Sequence, residues 1–357
     1  MNSPFMPRRI KIVDTTLRDG AQAPGVTFDQ DAKLAIASAL VQLGVDELEV
    51  GTPAMGPWEE NDIRHLANQG FGCRISAWCR ARIEDLEAAK RCGVQDVHIS
   101  LPVSDIHLSA LGKNRAWVID QLHQLLPMAF DLFERVTIGA QDATRAESIW
   151  LTFFARAAER LGAKRLRLAD TVGIGLPVMI ARIVGRIRAV VPRLPLEFHG
   201  HNDLGMATAN ALAAAEAGAD AISVTANGLG ERAGNTALEQ IVMVLRQHPE
   251  LTCGLDSRGL LSLCRMVAQA SGRPIPPSQP VVGEMAFAHE SGIHCHAMIK
   301  DTHTYEPFDP QQIGRSNRRF IIGSHSGSAG IRHLLAQAGI CASALQVRAL
   351  NSLLKGA

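Results

Sequence analysis

The run Ile10-Lys11-Ile12-Val13-Asp14-Thr15-Thr16-Leu17-Arg18-Asp19-Gly20 opens the regular structure of the chain. Its first five residues read as a β-strand, and the turn behind that strand separates two α/β architectures. A doubly wound sheet would place a glycine-rich G-x-G-x-x-G loop behind an early strand. Here the strand runs into Arg18-Asp19-Gly20 instead. Outward from this point, short β-branched runs alternate with Ala/Leu-rich amphipathic segments. Asp29 to Leu43 reads as a helix. Further strands read at Glu47 to Val50, Arg74 to Ala77, Val97 to Leu101, Val136 to Ile138, Arg165 to Leu168, Leu196 to His199 and Ala221 to Thr225. Helical patterns separate them, including Met206 to Ala217 and Asn235 to Arg246. Eight or so β-α units in about 250 residues predict an α/β fold of the (β/α)₈ TIM-barrel type.

The chain has 357 residues, 36 Lys+Arg against 35 Asp+Glu, 46% apolar and 20% charged residues. That composition is globular, and its near-zero net charge gives no electrostatic footprint for nucleic acid or an anionic membrane. No run approaches the ~20 apolar residues that a membrane helix needs. Glycine is abundant at 31 residues, and aromatics are 4% with a single tyrosine, Tyr305. The seven cysteines (Cys73, Cys79, Cys92, Cys253, Cys264, Cys295, Cys341) show no C-x-x-C spacing, which points away from disulfides or a zinc ribbon and toward a reducing cytoplasm. The first residues carry no apolar stretch behind their basic pair, so no signal peptide is expected.

After Ser271 the texture changes, with four prolines between Pro274 and Pro280. We therefore expect a catalytic barrel over residues 8–270, a proline-rich linker over 271–282 and a small, α-rich C-terminal subdomain over 283–357. One clear helix in that subdomain reads from about Ala329 to Ala338.

Four clusters carry chemistry. In Glu197-Phe198-His199-Gly200-His201 the i, i+2 rule puts Glu197, His199 and His201 on one strand face, where two imidazoles reach one metal ion. Such a pair alone is more often chance than a site. It gains a partner in Arg18-Asp19, another strand-end pair, because catalytic groups gather at the carboxyl ends of barrel strands. Asp19 with two histidines suits a catalytic divalent cation with open positions, and Arg18 is a fixed charge for an enolate or carbonyl oxygen. The third cluster, Asn227 to Asn235, contains Gly228, Gly230 and Gly234, and allows close backbone approach to a ligand, with Asn235 a helix N-cap or a polar group near the metal. The fourth, Phe287 to His294 with His296 and Tyr305, offers His294 as a general base and Tyr305 as a proton donor.

Together DTTLRDG, EFHGHNDLG, NGLGERAGN and FAHESGIH resemble the metal-dependent condensing enzymes of the homocitrate synthase and isopropylmalate synthase family. The stretches between them, ISAWCRA, SLPVSDIHL and RLRLADTVG, are most similar to the nitrogen-fixation branch, and the resemblance covers about residues 8 to 340. It implies a Claisen-type condensation of acetyl-CoA with a 2-oxo acid, 2-oxoglutarate in this branch, followed by thioester hydrolysis to homocitrate and CoA. It further implies metal ligation by Asp19, His199 and His201, with Asn235 close by and the metal left open among Mg, Mn, Zn and Co. Arg18 would stabilise the developing oxyanion. His294, oriented by Glu197, would deprotonate the acetyl group, with Tyr305 as acid. Thr171, Gln22 and Gly230 would line the substrate site. A homodimer is implied, since in the family the His294–Tyr305 segment crosses to the partner barrel.

The chain departs from the family pattern at Ala21, Gln141 and Ser324, and has Thr137 and Gly139 where lysine-pathway homocitrate synthases carry an arginine for the distal carboxylate. Three alternatives stay open beside homocitrate synthesis. These are the same chemistry on another 2-oxo acid, as in isopropylmalate or citramalate synthases, a cleaving lyase, and a weakly active or non-catalytic substrate-binding paralogue. The lyase would carry a cysteine where this loop has Glu231-Arg232-Ala233.

Overall fold

The computed structural model describes residues 6–356. Eight parallel strands close into a barrel: β1 (Lys11–Asp14), β2 (Glu47–Glu49), β3 (Arg74–Arg80), β4 (Asp96–Pro102), β5 (Arg135–Gln141), β6 (Arg165–Asp170), β7 (Leu196–Gly200) and β8 (Ala221–Val224). The seam is the pairing of β1 with β8, in register from Lys11↔Ala221 to Asp14↔Val224. Each strand is followed by a helix: α1 (Gln30–Leu43), α2 (Pro57–Ala67), α3 (Ile83–Cys92), α4 (Arg115–Leu132), α5 (Ser148–Arg160), α6 (Pro177–Val190), α7 (Ala207–Glu216) and α8 (Leu238–Gln247). The expected barrel is therefore present. The strands run longer than read at β3, β5 and β6, because Arg80, Gly139, Gln141 and Asp170 are polar or small and interrupt the apolar signal.

Local chemistry sets the boundaries. Asp29 caps α1, its carboxylate accepting from the Ala32 amide at 2.8 Å, and Gly44 ends the helix in the left-handed region at φ 89°. Helix α8 starts at Leu238, not at Asn235. The preceding residues are held in extended pairing, with the Thr225 amide donating to the Thr236 carbonyl at 3.0 Å and the Thr236 amide to Gly200 at 3.0 Å.

Two compact units make up the chain, one running to Asp256 and including Leu263–Pro274, the other comprising Ser257–Ser262 and the chain from Ile275 onward. In the second unit, α9 (Gly292–Lys300), α10 (Ser328–Gln337) and α11 (Ala344–Gly356) accompany a two-stranded ladder, Ala288–His289 against Arg319–Phe320. The helix read near Ala329 is α10. Among the described residues no helix is long and apolar enough to cross a membrane, and all seven cysteines are unpaired.

The outer face of the barrel is ordinary, with Leu48, Leu166, Leu196 and Phe198 buried. Its inner face is not apolar. Arg165 on β6 reaches across the lumen to Glu47 on β2 at 2.8 Å and binds Glu197 on β7 at 2.8 Å. One layer higher, Arg167 binds Glu197 at 2.6 Å and Glu49 at 2.7 Å. Glu49 also receives Arg18 at 2.6 Å, and Arg18 reaches Asp19 at 2.8 Å. Carboxylates and guanidiniums thus alternate up the barrel axis as Glu47, Arg165, Glu197, Arg167, Glu49, Arg18 and Asp19. Burial pushes the Glu47 and Glu49 carboxyls up, but Arg165 on the first and Arg167 with Arg18 on the second hold both below the usual carboxylate range. Burial of a lone charge is costly and pairing repays it only if each partner stays, so removing one member of a buried pair typically costs about 3–5 kcal/mol. Ser76 also donates to Glu47, at 2.8 Å, a neutral donor worth about 1 kcal/mol. Glu47→Ala should therefore lower stability by about 3 kcal/mol, and Ser76→Ala by about 1 kcal/mol, read as displacement of the urea unfolding midpoint. Equal midpoints for the two variants would refute the axial pairing as a source of stability.

Candidate active site

The turn after β1 is wound around one carbonyl. The amides of Arg18, Asp19 and Gly20 all donate to the Thr15 oxygen, at 3.1, 2.8 and 3.1 Å. That winding turns Arg18 and Asp19 inward, where they are 8% and 3% exposed. At the end of β7, Gly200 is needed because a Cβ there would lie 2.8 Å from the Phe198 ring. His201 then leaves the strand and bridges in antiparallel fashion to Asn235, while its own amide donates to Asp170 at 3.3 Å.

These placements bring His199 Nε2 to 3.1 Å and His201 Nε2 to 4.0 Å from Asp19 Oδ2, with the two Nε2 atoms 3.4 Å apart. All three groups are buried, and among the described residues they are the one His/Cys/Asp/Glu group with ligand atoms within 4.8 Å of one another. Burial pushes the Asp19 carboxyl up, but Arg18 and the two histidines override it and hold it far below the carboxylate range. Burial lowers His201 to about 4, reinforced by His199, so His201 offers a lone pair at neutral pH. The donor set fits a divalent cation on a second count. Four carboxylates alternate with three guanidiniums along the axis, which leaves one negative charge in excess beside the imidazoles. Asn235 completes the picture: its amide Nδ2 donates to Leu229 at 3.0 Å and to Asp19 at 3.4 Å, while its Oδ1 is buried with no hydrogen-bond partner. Such an orphaned oxygen beside an Asp-His-His set is a ready fourth donor.

The glycine loop makes that approach possible. Gly234 sits at φ 88°, and a Cβ there would lie 1.9 Å from the Gly228 carbonyl oxygen. A Cβ on Gly230 would lie 2.1 Å from Asn235 Nδ2. A side chain at Gly230 would have to displace Asn235, and one at Gly234 the Gly228 backbone.

The three groups stand in the wall of a cavity of about 240 Å³. Of the residues expected from sequence, Arg18, Asp19, Gln22, Thr171, His199 and His201 line it. Thr171 Oγ accepts from the Asp142 amide at 2.8 Å, which leaves its proton for a ligand. Gln141, one of the positions that departs from the family pattern, also lines it. Glu197, read as a partner for His294, has both oxygens engaged inside the barrel, by Arg165, Arg167 and Ser223. His294 and Tyr305 belong to the second unit, where their rings stack at 3.9 Å between centroids.

Sequence reasoning missed four groups: Trp78, His98 and Arg167 in the cavity wall, and the Glu49 behind them. His98 Nδ1 lies 3.1 Å from Glu49, and the Arg18 guanidinium lies 5.8 Å from the Trp78 ring centroid. A signal was there: Glu-Leu-Glu in β2 and Arg-Leu-Arg in β6 place charges at i and i+2 in otherwise apolar strands, which is charge on the inner face of a closed barrel.

Comparison with known proteins gives a consistent answer. Residues 9–267 match the HMGL-like family and residues 281–357 match the family described as homocitrate synthase post-HMGL domain-like. The chain is 47% identical to a protein named homocitrate synthase from Frankia alni over 331 residues, 92% of this chain and 94% of that protein. It is 46% identical to a protein named 2-isopropylmalate synthase 2 from Caldanaerobacter subterraneus, covering 90% of this chain and 84% of the other. It is 44% identical to homocitrate synthase 1 of Nostoc, covering 93% and 88%. Among solved structures, the HMG-CoA lyase of Bacillus subtilis superimposes with a TM-score of 0.67 at 22% identity, over 77% of this chain and 97% of that one, which is agreement in fold.

The loop geometry has a measurable consequence. Gly230→Ala should push Asn235 off Asp19 and weaken divalent-metal affinity about 10–100-fold, the usual range for losing a group that orients a metal ligand. Chelator competition with Mn(II) or Co(II) reads this directly, and unaltered affinity would remove Asn235 from the metal centre.

Proposed function

This chain belongs to the HMGL-like family and carries its homocitrate synthase post-HMGL region; from that premise we propose that it condenses acetyl-CoA with 2-oxoglutarate and hydrolyses the thioester, giving homocitrate and CoA. It is a condensing acyltransferase, acting on acetyl-CoA and a 2-oxo acid. The observation that carries the reading is the convergence of Asp19, His199 and His201 beside a buried arginine at the carboxyl ends of barrel strands.

In this reading Asp19, His199 and His201 hold a divalent cation, with Asn235 Oδ1 at hand. When bound, the cation supplies Lewis acidity that polarises the ketone of the 2-oxo acid. Arg18 meets the negative charge that develops on oxygen. Its guanidinium is fixed between Glu49 and Asp19 and is 7% exposed at the side chain, so its charge is oriented beforehand and poorly screened. Thr171 Oγ donates to the substrate carboxylate beside Gln22, and Gly230 keeps the loop close enough for Asn235. His294 takes a proton from the acetyl methyl group on a ring nitrogen, forming the carbon nucleophile that adds to the ketone. Tyr305 returns a proton from its hydroxyl to the new alkoxide, and water then cleaves the thioester to release CoA. Glu197 enters as the anchor of Arg167 and Arg165. The family segment carrying His294 and Tyr305 reaches a neighbouring barrel, so the proposed working unit is a homodimer. A cytoplasmic setting suits the seven unpaired thiols.

Thiol release from acetyl-CoA should be fastest with 2-oxoglutarate in a panel with oxaloacetate, pyruvate and 2-oxoisovalerate, and should stop with chelator. If 2-oxoglutarate is inert while another acid turns over, the homocitrate reading fails. Tyr305→Phe should cut kcat about 10²-fold or more, the span of general acid–base catalysis, with metal content unchanged. Normal turnover in that variant would take Tyr305 out of the mechanism.

A further inference from the structure

The floor of the active-site cavity carries polar atoms that nothing in the protein uses. Arg167 is 1% exposed, yet it lines the cavity. Its Nε is held by Glu197 at 2.6 Å and one Nη by Glu49 at 2.7 Å. The other, Nη1, is buried and has no hydrogen-bond partner. Beside it, His98 Nε2 is buried and also without a partner, and it too lines the cavity. The wall around these atoms is built small. Gly139 stands opposite Arg167 in the β5–β6 register, and a Cβ there would lie 2.3 Å from His98 Nε2. Ala169, next up β6 on the same face, pairs with His199.

An unpaired guanidinium N–H buried at the bottom of a cavity is costly unless a ligand satisfies it, and the fork geometry of arginine favours a carboxylate. Height along the strands tells which carboxylate. Arg167 pairs with Glu197, two residues below His199, so it lies about 7 Å beneath the metal-ligand level at the usual strand rise. A five-carbon 2-oxo diacid held at the top by its ketone and C1 carboxylate extends over about 5 Å of carbon chain, and its second carboxylate then comes within hydrogen-bond reach of that layer.

We infer that Arg167 Nη1, with His98 at its side, is the receptor for the far carboxylate of a dicarboxylic 2-oxo acid, and that this residue sets the preference for diacids over monocarboxylic 2-oxo acids. The inference rests on the proposed condensation of acetyl-CoA with a 2-oxo acid at this site. Glu49 and Glu197 keep the guanidinium in place and leave Nη1 to the cavity, so recognition depends on where that nitrogen is held and not on charge alone.

The test separates this inference from the condensation chemistry. In the metal-loaded protein without acetyl-CoA, calorimetry should show 2-oxoglutarate binding at least tenfold more tightly than 2-oxopentanoate, its monocarboxylic counterpart of equal length. Arg167→Lys, which keeps the charge and loses the fork, should cut that ratio at least tenfold. A wild-type ratio near one, or a ratio unchanged in Arg167→Lys, overturns the inference. If Arg167→Lys gives no cooperative melt, Gly139→Ala, which pushes a methyl against His98 in the same floor and keeps every charged side chain, should lower the ratio in the same way, and an unchanged ratio there overturns it. Because binding is measured without the acyl donor, absence of turnover would sink the condensation reading alone.

Discussion

Seven alternating charges stacked along the barrel axis, from Glu47 to Asp19, are the constraint on which everything at the mouth of the barrel depends. Most barrels fill this space with branched aliphatic side chains, which pack in layers and ask nothing of their neighbours. Charged layers behave differently. Each carboxylate is shared between two guanidiniums, or between a guanidinium and a neutral donor, so no member can move without stranding another in a low-dielectric interior. The column therefore transmits position upward: β2 and β6 hold Glu49 and Arg167, Glu49 holds Arg18, and Arg18 holds Asp19. A site built on the top of such a stack has its electrostatics set before any ligand arrives, which is the condition under which fixed charge is most effective in catalysis.

The surplus of one negative charge gives the stack a direction. Cations are drawn to the Asp19 end, where His201 is kept neutral by burial and by its neighbour. His98 is lowered to about 4 by burial and then by Arg167, against the pull of Glu49, so an imidazole in the midst of so many charges still stays uncharged near neutrality. One column thus favours a cation at its upper end and keeps a bare guanidinium edge toward the cavity one layer down.

Much of this was legible in the sequence, for identifiable reasons. The alternation of β-branched runs with amphipathic helices carried the barrel, because period 2 and period 3.6 are hard to confuse over eight repeats. The Asp19, His199 and His201 cluster could be read because the two histidines lie two apart on one strand and Asp19 follows another strand directly. Strand ends at β3, β5 and β6 were not legible: Cys79, Arg80, Gly139, Ala140 and Asp170 break the apolar pattern while still pairing in the sheet. The start of α8 was misplaced by three residues since Asn235 and Thr236 are spent on bridging to β7, a tertiary bond that no local propensity records. Glu49 and Arg167 were passed over because each lies in a three-residue motif that, without closure of the barrel, looks like a solvated strand. Closure turns those same residues inward.

The seam between β1 and β8 has a consequence for how the protein comes into being. Asp19 belongs to the first strand's turn and Asn235 to the loop after the last strand, 216 residues later, and the histidines arrive shortly before Asn235. A chain emerging from the ribosome therefore carries Asp19 and Arg18 through most of its synthesis with none of their site partners from β7 or β8 yet made. In the proposed site, metal capture would wait for the final β-α unit, so that loading would report on completed barrel closure: a truncated or stalled product lacks the full Asp19, His199 and His201 set.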